Sequence, residues 1–263
     1  MSGYNAFAEV YDKLTDNIEY KKRADFISTL FERYGVKGKE PILDLACGTG
    51  SLAFELAKRG YDMIGIDSSY AMLSQAQTKK YEENADVLFL CQDMTELDLY
   101  GTISGAVCML DSLNHLSCAD DVKKTVEKVG LFMEHGGIFI FDVNTIYKHR
   151  EILGNNTFVY DCDEVYCVWQ NCLNDDDSVD ISLDIFECDG GAYYRSSEDF
   201  TERAYTIEDY KKWLSDAEFE ILHIFDEMSD RELNETTERA VFVARYTGFK
   251  QPQKQQAAET EDL

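Results

Sequence analysis

The sequence predicts an α/β protein: a seven-stranded sheet with helices on both faces, plus a small antiparallel β insertion. Three observations carry this. Between residues 18 and 143, short extended runs alternate with helical runs of 10 to 16 residues, the pattern of βαβ units in a parallel sheet. The first extended run leads into Gly48-Thr49-Gly50, a turn from which a helix starts. After about residue 150 helical spacing gives way to alternation, which belongs to hairpins.

Each element follows in order. In "IEYKKRADFISTLFERYG", Ile18, Phe26, Ile27, Leu30 and Phe31 recur at helical spacing and Gly35 stops the helix. "PILDL" is a short buried strand, "TGSLAFELAKRG" a helix closed by Gly60, and "YDMIGID" the second strand. "SSYAMLSQAQTKKYEE" is a helix with Ser68 or Ser69 as its N-cap. "DVLFLCQD" and "TISGAVCML" are strands, "CADDVKKTVEKVGLFM" a helix, and "GGIFIFDVN" the fifth strand. Then "EVYCVWQNC" and "VDISLDIFEC" alternate around the turn "NDDDS", with "DGG" and "AYYRSSEDFTERAY" following. "TIEDYKKWLSDAEF" is helical again, and "EFEILHIFDE" and "ERAVFVARY" complete the sheet. The expected organisation is one domain from 1–152 and 205–248, an insertion at 153–204 and a frayed polar tail at 249–263.

Composition narrows the partners. With a formal charge of −26, the chain is a poor match for nucleic acid or an anionic membrane, which both need clustered Lys and Arg. No run approaches about 18 apolar residues, so no membrane span is expected. The eight cysteines contain no C-x-x-C pair and no zinc spacing, which points to free thiols in the cytoplasm and to no metal. The acidic turn Asp175-Asp176-Asp177 reads as a solvated tip, with a calcium site as the other reading. A small molecule is the expected partner, and the spacing leaves monomer and homodimer open.

Ligands of open α/β sheets lie beyond the carboxyl ends of the strands. There the sequence places Asp44, Ala46, Gly48 and Gly50, then Asp67, then Asp93 and Met94, then Asp111, then Asp142 and Asn144. Read as G-x-G-x-x-A, the turn through Ala53 fits a Rossmann-like dinucleotide loop and, on that spacing alone, an NAD-dependent dehydrogenase. Yet five carboxylates and no Lys or Arg occupy these strand ends, which repels a pyrophosphate. A cationic nucleoside is the better match, with Asp67 taking a ribose diol and Asp93 an exocyclic amine.

"ILDLACGTG", "GIDSSYAML", "LCQDM" and "CMLDSLNHL" resemble the successive motifs of class I S-adenosylmethionine-dependent methyltransferases. "FAEVYDKL", "LDSLNHL" and "FIFDVNT" are similar to a small bacterial branch of that family with a β insertion, over residues 4–246. The resemblance implies S-adenosylmethionine as cofactor. It places Gly48 and Gly50 under the methionine part, with Ala46 in the same loop, and Asp44 near the ammonium. It also puts Asp67 on the ribose, Ser68, Met72 and Leu110 beside the nucleoside, and Asp93 with Met94 at the adenine edge. Tyr11 resembles a tyrosine that closes over the cofactor. Asp111, as an orienting acceptor or general base, and His115 become the catalytic candidates; Asn114, Asn144 and Trp169 become acceptor contacts. One departure from the family pattern is "DAEF" at 216–219, where many members have a glycine before the Phe. A non-catalytic protein using the same fold for binding is the remaining alternative.

Overall fold

Strand β1 (Ile42–Leu45) is buried at all four positions, Asp44 included, as a strand at the centre of a parallel sheet covered on both faces is. A computed structural model describes residues 5–15, 17–36, 40–162 and 164–248; the expected tail at 249–263 lies outside the described residues. Around β1 the chain builds a seven-stranded sheet in the order β10-β11-β5-β4-β1-β2-β3. Its members are β2 (Met63–Asp67), β3 (Val87–Cys91), β4 (Ile103–Cys108), β5 (Met133–Asn144), β10 (Phe219–Asp226) and β11 (Arg239–Tyr246). The first five strands run parallel, while β11 is antiparallel to both β5 and β10.

Both faces are covered. On one, α2 (Tyr20–Tyr34), α3 (Ser51–Ala57) and α4 (Tyr70–Glu83) bury Phe31, Phe54 and Ala76 against Ile42 and Ile140. On the other, α5 (Ala119–Phe132) and α6 (Ile207–Asp216) bury Val126 and Trp213 against Phe139, Phe141 and Phe242. Ser69, not Ser68, caps α4, accepting the Met72 N–H at 3.3 Å. Thr206 and Asp209 form a reciprocal capping box on α6. Glu218 takes the left-handed conformation (φ 63°) that favours glycine, and its carbonyl accepts from Thr247 N and Oγ1 at 2.9 and 2.8 Å. Those bonds hold the helix-to-strand turn despite the side chain.

The second sheet, β6-β7-β8-β9, is wholly antiparallel. Along β8 (Val179–Asp189), Val179, Ile181, Leu183 and Ile185 are buried, while Asp180 and Ser182 are exposed. They pack with Val165 and Cys167 of β7 (Val165–Leu173) and with Val10 of α1 (Asn5–Leu14) in a third core. Strand β9 spans Ala192–Glu202. The sequence reading lacked β6 (Thr157–Cys162) and a six-residue π-helical turn at Lys148–Leu153. Strand β6 lies at the sheet edge and leaves Val159 54% exposed, so its pattern contrasts weakly with a loop. No described helix is long and apolar enough to cross a membrane. All eight cysteines are free thiols.

Candidate active site

The loop after β1 is held in a shape that few residues adopt. Ala46, Gly48 and Gly50 all have positive φ (56°, 53° and 78°). At Gly50 a Cβ would meet the Phe89 ring at 2.7 Å, so the glycine is needed for packing as well as conformation. The Gly48 N–H donates to Asp67 Oδ2 at 2.9 Å, tying the loop to the end of β2, while Asp67 Oδ1 accepts from Ser69 N at 2.8 Å.

A cavity of about 520 Å³ starts at this loop and runs along the carboxyl edge of the sheet, beneath α1 and the inner face of β6-β9. Its walls include Tyr11, Asp44, Ala46, Gly48, Asp67, Ser68, Met72, Met94, Leu110, Asp111, His115, Asn144 and Trp169. Sequence positions 11 to 169 thus converge on one space. Three expected residues are not on its wall. Gly50 sits behind the loop as the first cap of α3. Asp93 is exposed and caps the short turn at 94–96, its Oδ1 accepting from Thr95 N and Oγ1 at 2.8 Å. Asn114 is fully buried, and its amide clamps Asn144 N and O and the Arg203 carbonyl at 2.8–3.1 Å.

Asp44 is 2% exposed and its Oδ2 has no hydrogen-bond partner. Burial, and then the neighbouring Asp67, push its carboxyl up to about 8. A buried, unpartnered carboxylate oxygen on a cavity wall fits a ligand with a cationic group, and so fits the ammonium of S-adenosylmethionine. The lid over this end is α1. Asp12 Oδ1 accepts from Thr49 Oγ1 at 2.7 Å and Ser51 Oγ at 3.3 Å, and Lys79 of α4 bonds to Asp12, Thr49 and Ser51.

The other end of the cavity corrects the expectation that no Lys or Arg reaches these strand ends. Arg239 starts β11, which is antiparallel to β5, so it arrives beside the carboxyl end of β5. It bonds Asp111 at 2.6 Å and Asp142 at 2.8 Å, and Arg23 of α2 reaches Asp142 at 3.1 Å. Asp142 also accepts the Asp111 N–H at 2.6 Å, holding Leu110 and Asp111 in consecutive left-handed conformations (φ 61° and 53°). Burial alone would raise the Asp111 carboxyl, but Arg239, Lys148 and His115 bring it down to about 2. Burial, with Arg239 beside it, lowers the Lys148 ammonium.

Sequence reasoning also missed Glu202, Lys148 and His149. Glu202, 2% exposed, closes β9 and receives Asn144 Nδ2 at 2.9 Å. The acidic tip expected to be solvated is partly paired: Asp177 binds Arg150 at 2.5 and 2.8 Å. No local spacing signals these contacts. Asp111, His115 and Glu202 place ligand atoms within 4.8 Å of one another. With Arg239 already on Asp111 Oδ1, the trio is a charge-paired cluster rather than an open cation cage.

A family profile described as "Methyltransferase domain" matches residues 42–137. A candidate methyltransferase of Geobacillus sp. (strain WCH70) is 35% identical, over 92% of this chain and 99% of its own. A second, YqeM of Bacillus subtilis (strain 168), is 34% identical over 92% of this chain and 96% of its own. Among solved structures, an S-adenosylmethionine-dependent methyltransferase from Clostridium acetobutylicum ATCC 824 superposes with a TM-score of 0.85 at 37% identity, over 93% of this chain and 99% of that one. The fold, the cavity and these relatives agree: the chain belongs to the S-adenosylmethionine-dependent methyltransferases, and S-adenosylmethionine is its cofactor.

Proposed function

We propose that this methyltransferase acts on a small molecule held beneath the β6-β9 sheet. The observation that carries this reading is the cavity itself. About 520 Å³ joins the unpartnered Asp44 oxygen at one end to Asp111, Asn144 and Glu202 at the other, within the usual range for small-molecule sites.

Roles follow from position. Asp44 faces the cofactor's ammonium, Asp67 its ribose hydroxyls, and the loop at Ala46, Gly48 and Gly50 allows close backbone approach. Ser68, Met72, Met94 and Leu110 line the nucleoside end. Asp93 contributes from outside the wall, since Thr95 engages only its Oδ1. Tyr11, half-buried beside Tyr20, closes the space from α1. Bound there, S-adenosylmethionine supplies a methyl group already activated on sulfonium. The protein's tasks are to align the nucleophile and keep water out. Asp111, which Arg239 pairs at 2.6 Å and holds below the usual carboxylate range, stays ionised and orients the acceptor site. His115 and Glu202 remain as proton acceptors there. Trp169 and Asn144 shape the acceptor wall, whereas Asn114 supports it from behind. In this reading 153–204 is a lid inserted into a domain of 1–152 and 205–248, and the chain works in the cytoplasm, where its thiols stay reduced.

Titration calorimetry tests the cofactor half. S-adenosylmethionine or its demethylated product should bind with micromolar affinity, and Asp67→Ala should abolish binding. Absence of binding to the intact chain at millimolar ligand would overturn the assignment.

A further inference from the structure

His149 is fully buried on the π-helical turn. Its Nδ1 lies 2.8 Å from the Asp177 carbonyl, which can only accept, so Nδ1 carries the proton. The other nitrogen, Nε2, is buried with no hydrogen-bond partner and lies 3.5 Å from Glu202 Oε2. A lone pair there faces a carboxylate oxygen that already accepts from Asn144 Nδ2 at 2.9 Å, and a proton placed between the two would satisfy the buried nitrogen. Glu202 lines the cavity, and its second oxygen, Oε1, lies 3.9 Å from His115 Nε2, too long for a hydrogen bond. Phe200 and Trp169 stand on the same cavity wall.

We propose that Glu202, backed by His149, removes the proton from an ammonium group, which makes the methyl acceptor a small-molecule amine; this rests on the small-molecule reading above. A carboxylate beside aromatic rings suits a cation. An alkyl amine, with a pKa of about 10, is protonated at neutral pH and has no lone pair for attack. Losing that proton to a carboxylate backed by an imidazole is a modest uphill step. An alcohol, nearer the value of about 15.7 for water, is far out of reach of the same pair.

The step balances. R–NH₃⁺ gives one proton to Glu202, which shares it with His149 Nε2 and so satisfies the buried nitrogen. The freed nitrogen lone pair forms the N–C bond while the C–S bond breaks and its electrons stay on sulfur. The products are R–NH₂⁺–CH₃, the thioether and one proton, which returns through Glu202 Oε1 to the partly exposed His115 and then to water. The groups facing Glu202 are Asn144 from β5, Lys148 and His149 from the π-helical turn, and Asp111 and His115 from the turn after β4, with Arg239 behind Asp111. Among these groups Glu202 both lines the cavity and lies against His149.

The test uses the intact chain, S-adenosylmethionine labelled in the methyl group, and a low-molecular-mass extract of Bacillus subtilis cells. Half the extract is treated with an amine-acetylating reagent. Label should enter an N-methyl product from the untreated half and fall at least tenfold in the acetylated half. With that acceptor, Glu202→Gln should bind cofactor within twofold of the parent, which shows that it is folded. Its kcat should be about 100-fold lower at pH 7, and the deficit should shrink about tenfold per pH unit towards pH 9, as free amine accumulates. His149→Gln, which places a donor against Glu202, should give the same slope. A constant deficit at every pH would indicate a structural role and overturn the proposal. So would labelling that survives acetylation, or cofactor binding without transfer to either half; each leaves the cofactor assignment standing. Failure to bind the cofactor would instead defeat the methyltransferase site itself.

Discussion

Asp44 was legible as an acid out of place in a phosphate-like loop, but only its burial explains what it does. Its carboxyl sits at about 8, so the ligand-free protein carries a proton there at neutral pH. A cationic ligand favours the ionised form, and binding must release that proton. Affinity for S-adenosylmethionine should therefore rise about tenfold per pH unit up to about pH 8 and level off above it. Calorimetry in buffers of different ionisation enthalpy should count close to one proton released at pH 7, and none for Asp44→Asn. The raised value also fixes a stability trend. Between the ordinary value of 3.8 and about 8, the folded chain holds a proton that the unfolded chain has lost. The Asp44 contribution to stability then falls as pH rises through that window, and Asp44→Asn should remove that part of the slope in urea titrations.

At the scale of elements, α1 is the piece whose placement the sequence left open. Periodicity marks "FAEVYDKL" as amphipathic, and Val10 is indeed buried against the second sheet. What fixes the helix over the cofactor end is polar: Asp12 joins Thr49, Ser51 and Lys79. Hydrogen bonds to a charged group contribute about 1.5–3 kcal/mol. Asp12→Ala should therefore speed cofactor release about tenfold in stopped-flow displacement, with little change in the association rate. An unchanged release rate would mean that α1 is held by its apolar face alone. Strand β6 shows the opposite limit. Its edge position and exposed Val159 leave no strong alternation, so only pairing with β7 defines it.

For the whole molecule, a charge of −26 implies self-repulsion in the folded state. Raising ionic strength from about 0.01 to 0.15 M shortens the screening length from about 30 to 8 Å. The thermal midpoint should rise by several degrees over that range; a flat response would mean that the ion pairs already balance the surface. The sequence by itself determined the alternation of strands and helices and the residues that line the cavity around the β1 loop. Those residues lie close along the chain: Asp44, Gly48 and Asp67 fall within one βαβ unit, where spacing encodes geometry. The cavity wall around Asp111 and Glu202 was decided only by tertiary structure. Arg23 meets Asp142 across 119 positions and Arg239 meets it across 97, while Glu202 reaches Asn144 from 58 away. Chain closure brings those charges together, and neither periodicity nor motif spacing records which distant partners will neutralise one another once they are buried.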